Sequence, residues 1–84
     1  MLYYLYLDRG FIHQNMAWAH EKKHEFTHAY VAADRAKGDY ESALSFAEAL
    51  GWKGLAEETR GFLERLEVHQ MIIRQQEKSS KLVE

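Results

Sequence analysis

The chain has 84 residues, a formal net charge of −2, 46% hydrophobic and 29% charged residues, five histidines, and neither cysteine nor proline. Such a length makes one domain that buries only roughly 60–65% of its unfolded surface, with a core that rarely supplies more than about 3–5 kcal/mol. Disulfides and thiolate metal sites are excluded, and the mild negative charge argues against sequence-independent nucleic-acid binding, which needs a basic surface.

The opening run from Met1 to Leu7 is apolar but far too short to span a membrane. It lacks a basic leader and stops at Asp8 and Arg9, so no secretory signal is expected and the expected location is cytoplasmic. Residues 2–10 are ambiguous between helix and strand, because leucines are interleaved with β-prone aromatics. Residues 11–37 read as one long helix. At about 100° per residue, Trp18, Lys22, Phe26, Ala29, Tyr30, Ala32, Ala33 and Ala36 form one stripe, whose alanines let a neighbouring helix come close. A turn is expected at Gly38, which can take the left-handed conformation that closes a helix. Asp39 would then cap the next helix. That helix covers residues 39–50, with Tyr40, Ala43, Leu44, Ala47 and Leu50 on one apolar face. Gly51 ends it and Trp52 covers the end. The third helix covers residues 53–76. In it Leu55, Thr59, Phe62, Leu66, His69 and Ile73 alternate spacings of four and three, the seam of antiparallel helix packing. The polar tail, residues 77–84, is expected to fray. The fold class is therefore all-α: a single domain, 1–84, built as a three-helix bundle with a long first helix and helical-hairpin packing, and dimerised.

The segment Gly38-Asp39-Tyr40-Glu41-Ser42-Ala43-Leu44 resembles the turn and second-helix start of a tetratricopeptide repeat, which commonly reads G-D-Y-x-x-A. The match covers about one repeat, and no second unit follows at the repeat period. It departs from the pattern at Val31, Asp34 and Ala47. The resemblance implies a helical scaffold that binds peptides.

His20-Glu21-Lys22-Lys23-His24 matches H-E-x-x-H, which on a helix sets two imidazoles one turn apart to hold zinc, with the glutamate positioned to activate water. His28 is one turn further and is the candidate third ligand. On the helical wheel His13, His20, His24 and His28 share a face opposite the alanine stripe, and such a row can bind metal, respond to pH or meet an acidic partner. His69 instead sits in the apolar seam, as a half-buried, hydrogen-bonded histidine. A second stripe on the third helix, Gly54, Gly61, Val68 and Ile72 with Met71 at its edge, is the candidate dimer interface. Gly61 in mid-helix costs about 1 kcal/mol against alanine, which a close backbone neighbour would explain. Tyr3, Tyr4 and Tyr6 with Phe11 and Trp18 make an aromatic-rich end, and tyrosine and tryptophan dominate interface hot spots. A helix-turn-helix reading of residues 43–66 fails at Glu57, where an apolar residue is needed.

The function these features favour is a non-enzymatic protein-interaction module, an adaptor or inhibitor that occupies a partner's surface and needs no cofactor. Its contact residues are His13, His20, His24, His28, Tyr3, Tyr4 and Tyr6. The alternatives are a histidine-rich zinc-binding protein and a small DNA-binding regulator.

Overall fold

The computed structural model describes residues 2–83, with side chains described as far as Ser79. It is an all-α three-helix bundle: α1 spans Leu2–Lys22, α2 spans Phe26–Ala49 and α3 spans Lys53–Val83. Among the described residues no helix is long and apolar enough to cross a membrane.

Three boundaries differ from the sequence expectation. Residues 2–10 are helical and belong to α1. The long helix expected over 11–37 is broken not at Gly38 but at Lys23–Glu25, and Gly38 and Asp39 lie inside α2. The hairpin turn implied by the resemblance at Gly38 is therefore absent. The tail expected to fray from residue 77 continues α3 to Val83, and Glu84 lies outside the described residues.

Both turns use one device. At the first, Glu25 N–H donates to the His20 carbonyl at 2.9 Å and His24 N–H to the Glu21 carbonyl at 3.0 Å, with His24 at φ 61°. At the second, Trp52 N–H donates to the Ala47 carbonyl at 2.8 Å and Gly51 N–H to the Glu48 carbonyl at 3.2 Å, with Gly51 at φ 74°. Each is a Schellman closure, which satisfies the orphan carbonyls of a helix end through one left-handed residue. Glycine takes that conformation without penalty, whereas histidine must hold its Cβ against the following carbonyl.

The chain then folds around α2, which packs against α1 on one side and α3 on the other. Its buried face carries Ala29, Ala32, Ala33, Ala36, Ala43 and Ala47, so both neighbours approach closely. The expected seam of α3 is present: Thr59, Leu66 and Ile73 are buried, with Leu55, Phe62 and His69 half-buried. One large side chain of α2 fills the space between α1 and α3. Tyr40 is fully buried, its ring 5.8 Å from Phe11 and 5.9 Å from Phe62, and its hydroxyl donates to Gln14 Oε1 at 2.6 Å. Gly10 makes room for it: a Cβ there would lie 2.5 Å from Tyr40 Cε1.

Long side chains join α1 directly to α3. The Thr59 hydroxyl donates to the Leu55 carbonyl at 2.7 Å and accepts from the buried Tyr3 hydroxyl at 2.8 Å. Phe11 meets Phe62 edge to face at 5.3 Å. Trp18 lies 5.8 Å from His69, which donates through Nε2 to Glu21 at 2.8 Å.

Three glycine exchanges check this backbone by chemical denaturation at one fixed protein concentration. Gly38 is exposed in mid-helix and nothing lies within 4 Å of its Cβ position, so Gly38→Ala should stabilise by about 0.5–1 kcal/mol. His24→Gly should also stabilise, by up to about 1 kcal/mol, because it removes the left-handed penalty. Gly10→Ala should destabilise by roughly 1–3 kcal/mol through overpacking against Tyr40.

Candidate protein-interaction surface

The distribution of apolar side chains is inverted relative to an ordinary core. Among the described residues, eight of the twelve buried hydrophobic residues are alanine, and only Tyr3, Tyr40, Leu66 and Ile73 are large. Thirteen large hydrophobic residues are exposed, from Leu2 to Ile72. Burying one Val, Leu, Ile, Phe or Met side chain is worth about 1.5–3 kcal/mol, and a single methyl-sized group about 0.8. Most buried hydrophobic positions thus contribute only a methyl group, while large apolar side chains stay partly on the surface.

Four of the thirteen, Phe11, Trp18, Val68 and Ile72, gather on the side where α1 faces α3. A groove of about 550 Å³ runs there, walled by Phe11, Gln14, Asn15 and Trp18 of α1 and by Phe62, Arg65, Val68, His69 and Ile72 of α3. It arises because the tips of Phe11, Phe62, Trp18 and His69 form its floor while the two backbones stay apart. Val68 and Ile72 of the expected dimer stripe stand on its wall, 56% and 44% exposed, and Met71 is exposed further round the helix. Gly54 and Gly61 lie on the same helical stripe. Nothing comes within 4 Å of a Cβ at either position, so the close neighbour expected at Gly61 is not supplied from within the chain.

The remaining candidates are placed differently from expectation. Tyr3 is buried, and its edge-to-face neighbours are Tyr4 at 5.1 Å and Trp52 at 6.1 Å. Tyr6 is half-buried and stacked on Phe46 at 5.7 Å, whereas Tyr4 is exposed. The four histidines do not share an outer face. His13 is half-buried and donates through Nδ1 to Asp39 Oδ2 at 2.7 Å, across the α1–α2 interface. His24 lies in the turn, its ring edge-on to Phe26 at 5.5 Å. His20 lies 5.5 Å from His28 and donates to Glu25 at 3.1 Å. That bond, more than any other influence, holds the Glu25 carboxyl below the usual carboxylate range.

These positions remove the geometry assumed for H-E-x-x-H. His20 and His24 do not sit one turn apart on a helix, because the helix ends between them. Glu21, the residue required to activate water, is engaged by His69. Among the described residues no group of three His, Cys, Asp or Glu side chains is placed to hold a metal ion. Phe11 and Trp18, part of the aromatic-rich end read from sequence, are groove walls; the residues missed from sequence are Asn15 as a groove wall, and Asp39 as a buried carboxylate held by His13 and by Arg9 at 3.8 Å. The signal for Asp39 was its position about 20° beyond Ala32, at the edge of the alanine face of α2. Comparison of the chain with protein-family models, curated proteins and solved structures returns no match.

Burial and then the neighbouring Asp39 carboxylate push the Tyr40 phenol up to about 12. A group raised in the folded state supports folding fully below its unfolded value, near 10, and loses that support as pH rises through 12. Denaturation midpoints should therefore fall between pH 10 and 12, and Tyr40→Phe should flatten that decline. Absorbance at 295 nm should show a late tyrosine ionisation near pH 12 that is missing from the variant.

Proposed function

We propose that this chain is a non-enzymatic protein-interaction module whose binding surface is the α1/α3 face. The observation that supports this reading is the inversion of apolar residues. Alanines fill the interior while Phe11, Trp18, Val68 and Ile72 line an open groove. Exposed contiguous apolar surface with a polar rim is characteristic of a protein-binding site, and aromatic anchors beside an arginine are the residue types that dominate such sites. Two of the polar groups at the groove serve packing: His69 holds Glu21, and Gln14 accepts from Tyr40. The module acts as an adaptor or inhibitor by covering a partner's surface, with a cytoplasmic setting as part of the same reading. Of the contact residues suggested by sequence, Tyr4 remains on the exposed side of α1, whereas Tyr3 and His13 are turned inward.

Site-specific photo-crosslinking in the native cell tests the reading. A crosslinking residue placed at Trp18 or at Ile72 should give discrete adducts, and one placed at exposed Glu41 of α2 should give none. Absence of adducts from positions 18 and 72, or equal labelling from position 41, would overturn it.

A further inference from the structure

The exposed face of α1 has an internal order in steps of seven. Asp8, Asn15 and Lys22 form a polar line along the helix, with about 10.5 Å between successive members. Tyr4, Phe11 and Trp18 run along one side of this line, and Leu5, Ile12 and Ala19 along the other. All nine residues are exposed, Tyr4, Leu5 and Ile12 by more than half. Among the described residues, none of Asp8, Asn15 and Lys22 has a side-chain partner within the chain. The result is a thin polar seam between two apolar rows, on a helix that already packs its opposite side against α2.

We propose that the occupant of this face is a second copy of the chain, docked with α1 antiparallel to α1 about a two-fold axis at Asn15. The proposal rests on the reading of this side as a binding surface and names its partner. The polar line selects the arrangement. Asp8 and Lys22 each lie seven residues from Asn15, so an antiparallel pairing centred there sets Asp8 of each copy against Lys22 of the other. Asn15 meets its own counterpart. The same register places Ile12 opposite Trp18 and Phe11 opposite Ala19, so large residues meet complementary ones on both flanks. A parallel pairing would instead oppose Asp8 to Asp8 and Lys22 to Lys22. A shift by one heptad would leave a charge facing Asn15 at each end. A polar residue in an otherwise apolar seam fixes register in this way at some cost in stability, and repulsion between like charges disfavours the wrong pairings.

In this register Phe11, Ile12 and Trp18 meet the other copy's α1, whereas Tyr4 and Leu5 reach its first turn, at residues 26 and 25. With Val68 and Ile72 of α3 these five side chains leave on the order of 700 Å² accessible, the scale of the ~800 Å² per partner in a standard interface. A two-fold pairing is isologous, so one patch serves both copies and the assembly closes at two.

The chain has no cysteine, so single cysteines report the geometry. Asn15→Cys should form a disulfide-linked dimer under mild oxidation, and Glu41→Cys should remain monomeric on a denaturing gel. Asp8→Lys and Lys22→Asp should each raise the dimer dissociation constant by about tenfold or more in sedimentation equilibrium, and the double reversal should restore it. Both positions are exposed, so helicity by circular dichroism should be unchanged in all three variants. A monomer at a concentration on the order of 100 μM, with photo-adducts to another protein from positions 18 and 72, overturns self-pairing and leaves the interaction module standing. A monomer with no adducts overturns both. A dimer in which Asn15→Cys fails to crosslink, or in which the double reversal is not restored, overturns the antiparallel register.

Discussion

The structure depends on how closely α2 lets its neighbours approach. A helix whose buried face is alanine presents almost no side-chain relief, so axes on either side settle near the short end of the usual ~8–10 Å range. Six alanines spread from Ala29 to Ala47 give α2 this character along most of its length. Close packing yields many dispersion contacts with little loss of side-chain entropy, since alanine has no rotamers to lose. It also leaves little interior volume for large side chains: among the described residues the large apolar side chains buried are Tyr3, Tyr40, Leu66 and Ile73, and Gly10 makes room for the Tyr40 ring.

The rest of the architecture follows from that exclusion. Leucines, isoleucines and aromatics that cannot enter the interior reach across it or point away from it. Three contacts join α1 to α3: the buried Tyr3 to Thr59, Phe11 to Phe62, and Trp18 to His69. Because these links are made by side-chain tips, α1 and α3 remain separated at the backbone and a groove opens between them. Polar clamps then hold the edges. His13 on Asp39 ties α1 to α2, and His69 on Glu21 ties α3 to α1. Each engages a carboxylate at least four-fifths buried, where a lost partner costs far more than at an exposed pair. The interior specifies the arrangement, and the large apolar residues are left available for contact outside it.

The sequence made the helical class, the α3 seam and the second turn legible, for the same reason in each case: the relevant residues are the types that physical rules favour. Leu66 and Ile73 are apolar at helical spacing, and Gly51 is the residue best suited to a left-handed cap. The first turn was hidden because His24 occupies the equivalent position, and histidine carries no turn signal of its own. Gly38, which does carry one, then drew the boundary to a place where the backbone is continuous helix. The start of α1 was obscured differently. Tyr3, Leu7, Gly10, Gln14, Ala17 and Glu21 alternate spacings of four and three, but half of them are polar or lack a side chain, so a search for apolar periodicity passes over the seam. The candidate site suffered from the misplaced turn. Joining residues 11–37 into one helix put His13, His20, His24 and His28 on a shared face, whereas the true break sends His24 into the turn and leaves His13 against Asp39.

The helix α1 shows why the proposed self-association and the fold belong to one argument. A helix at the edge of a bundle ordinarily has one apolar stripe and a polar back. In α1, Tyr3, Gly10 and Ala17 are buried while Leu5, Ile12 and Met16 stand exposed on the opposite side. Apolar residues all round are the pattern of a helix enclosed on every side. Two three-helix units joined through α1 convert an edge helix into a central one, and the pattern then matches its surroundings. The polar line of Asp8, Asn15 and Lys22 is what keeps such a helix from pairing indiscriminately. In the proposed dimer the apolar rows beside it contribute the affinity, and the three polar residues, which contribute little by themselves, decide the direction and register in which that affinity can be realised.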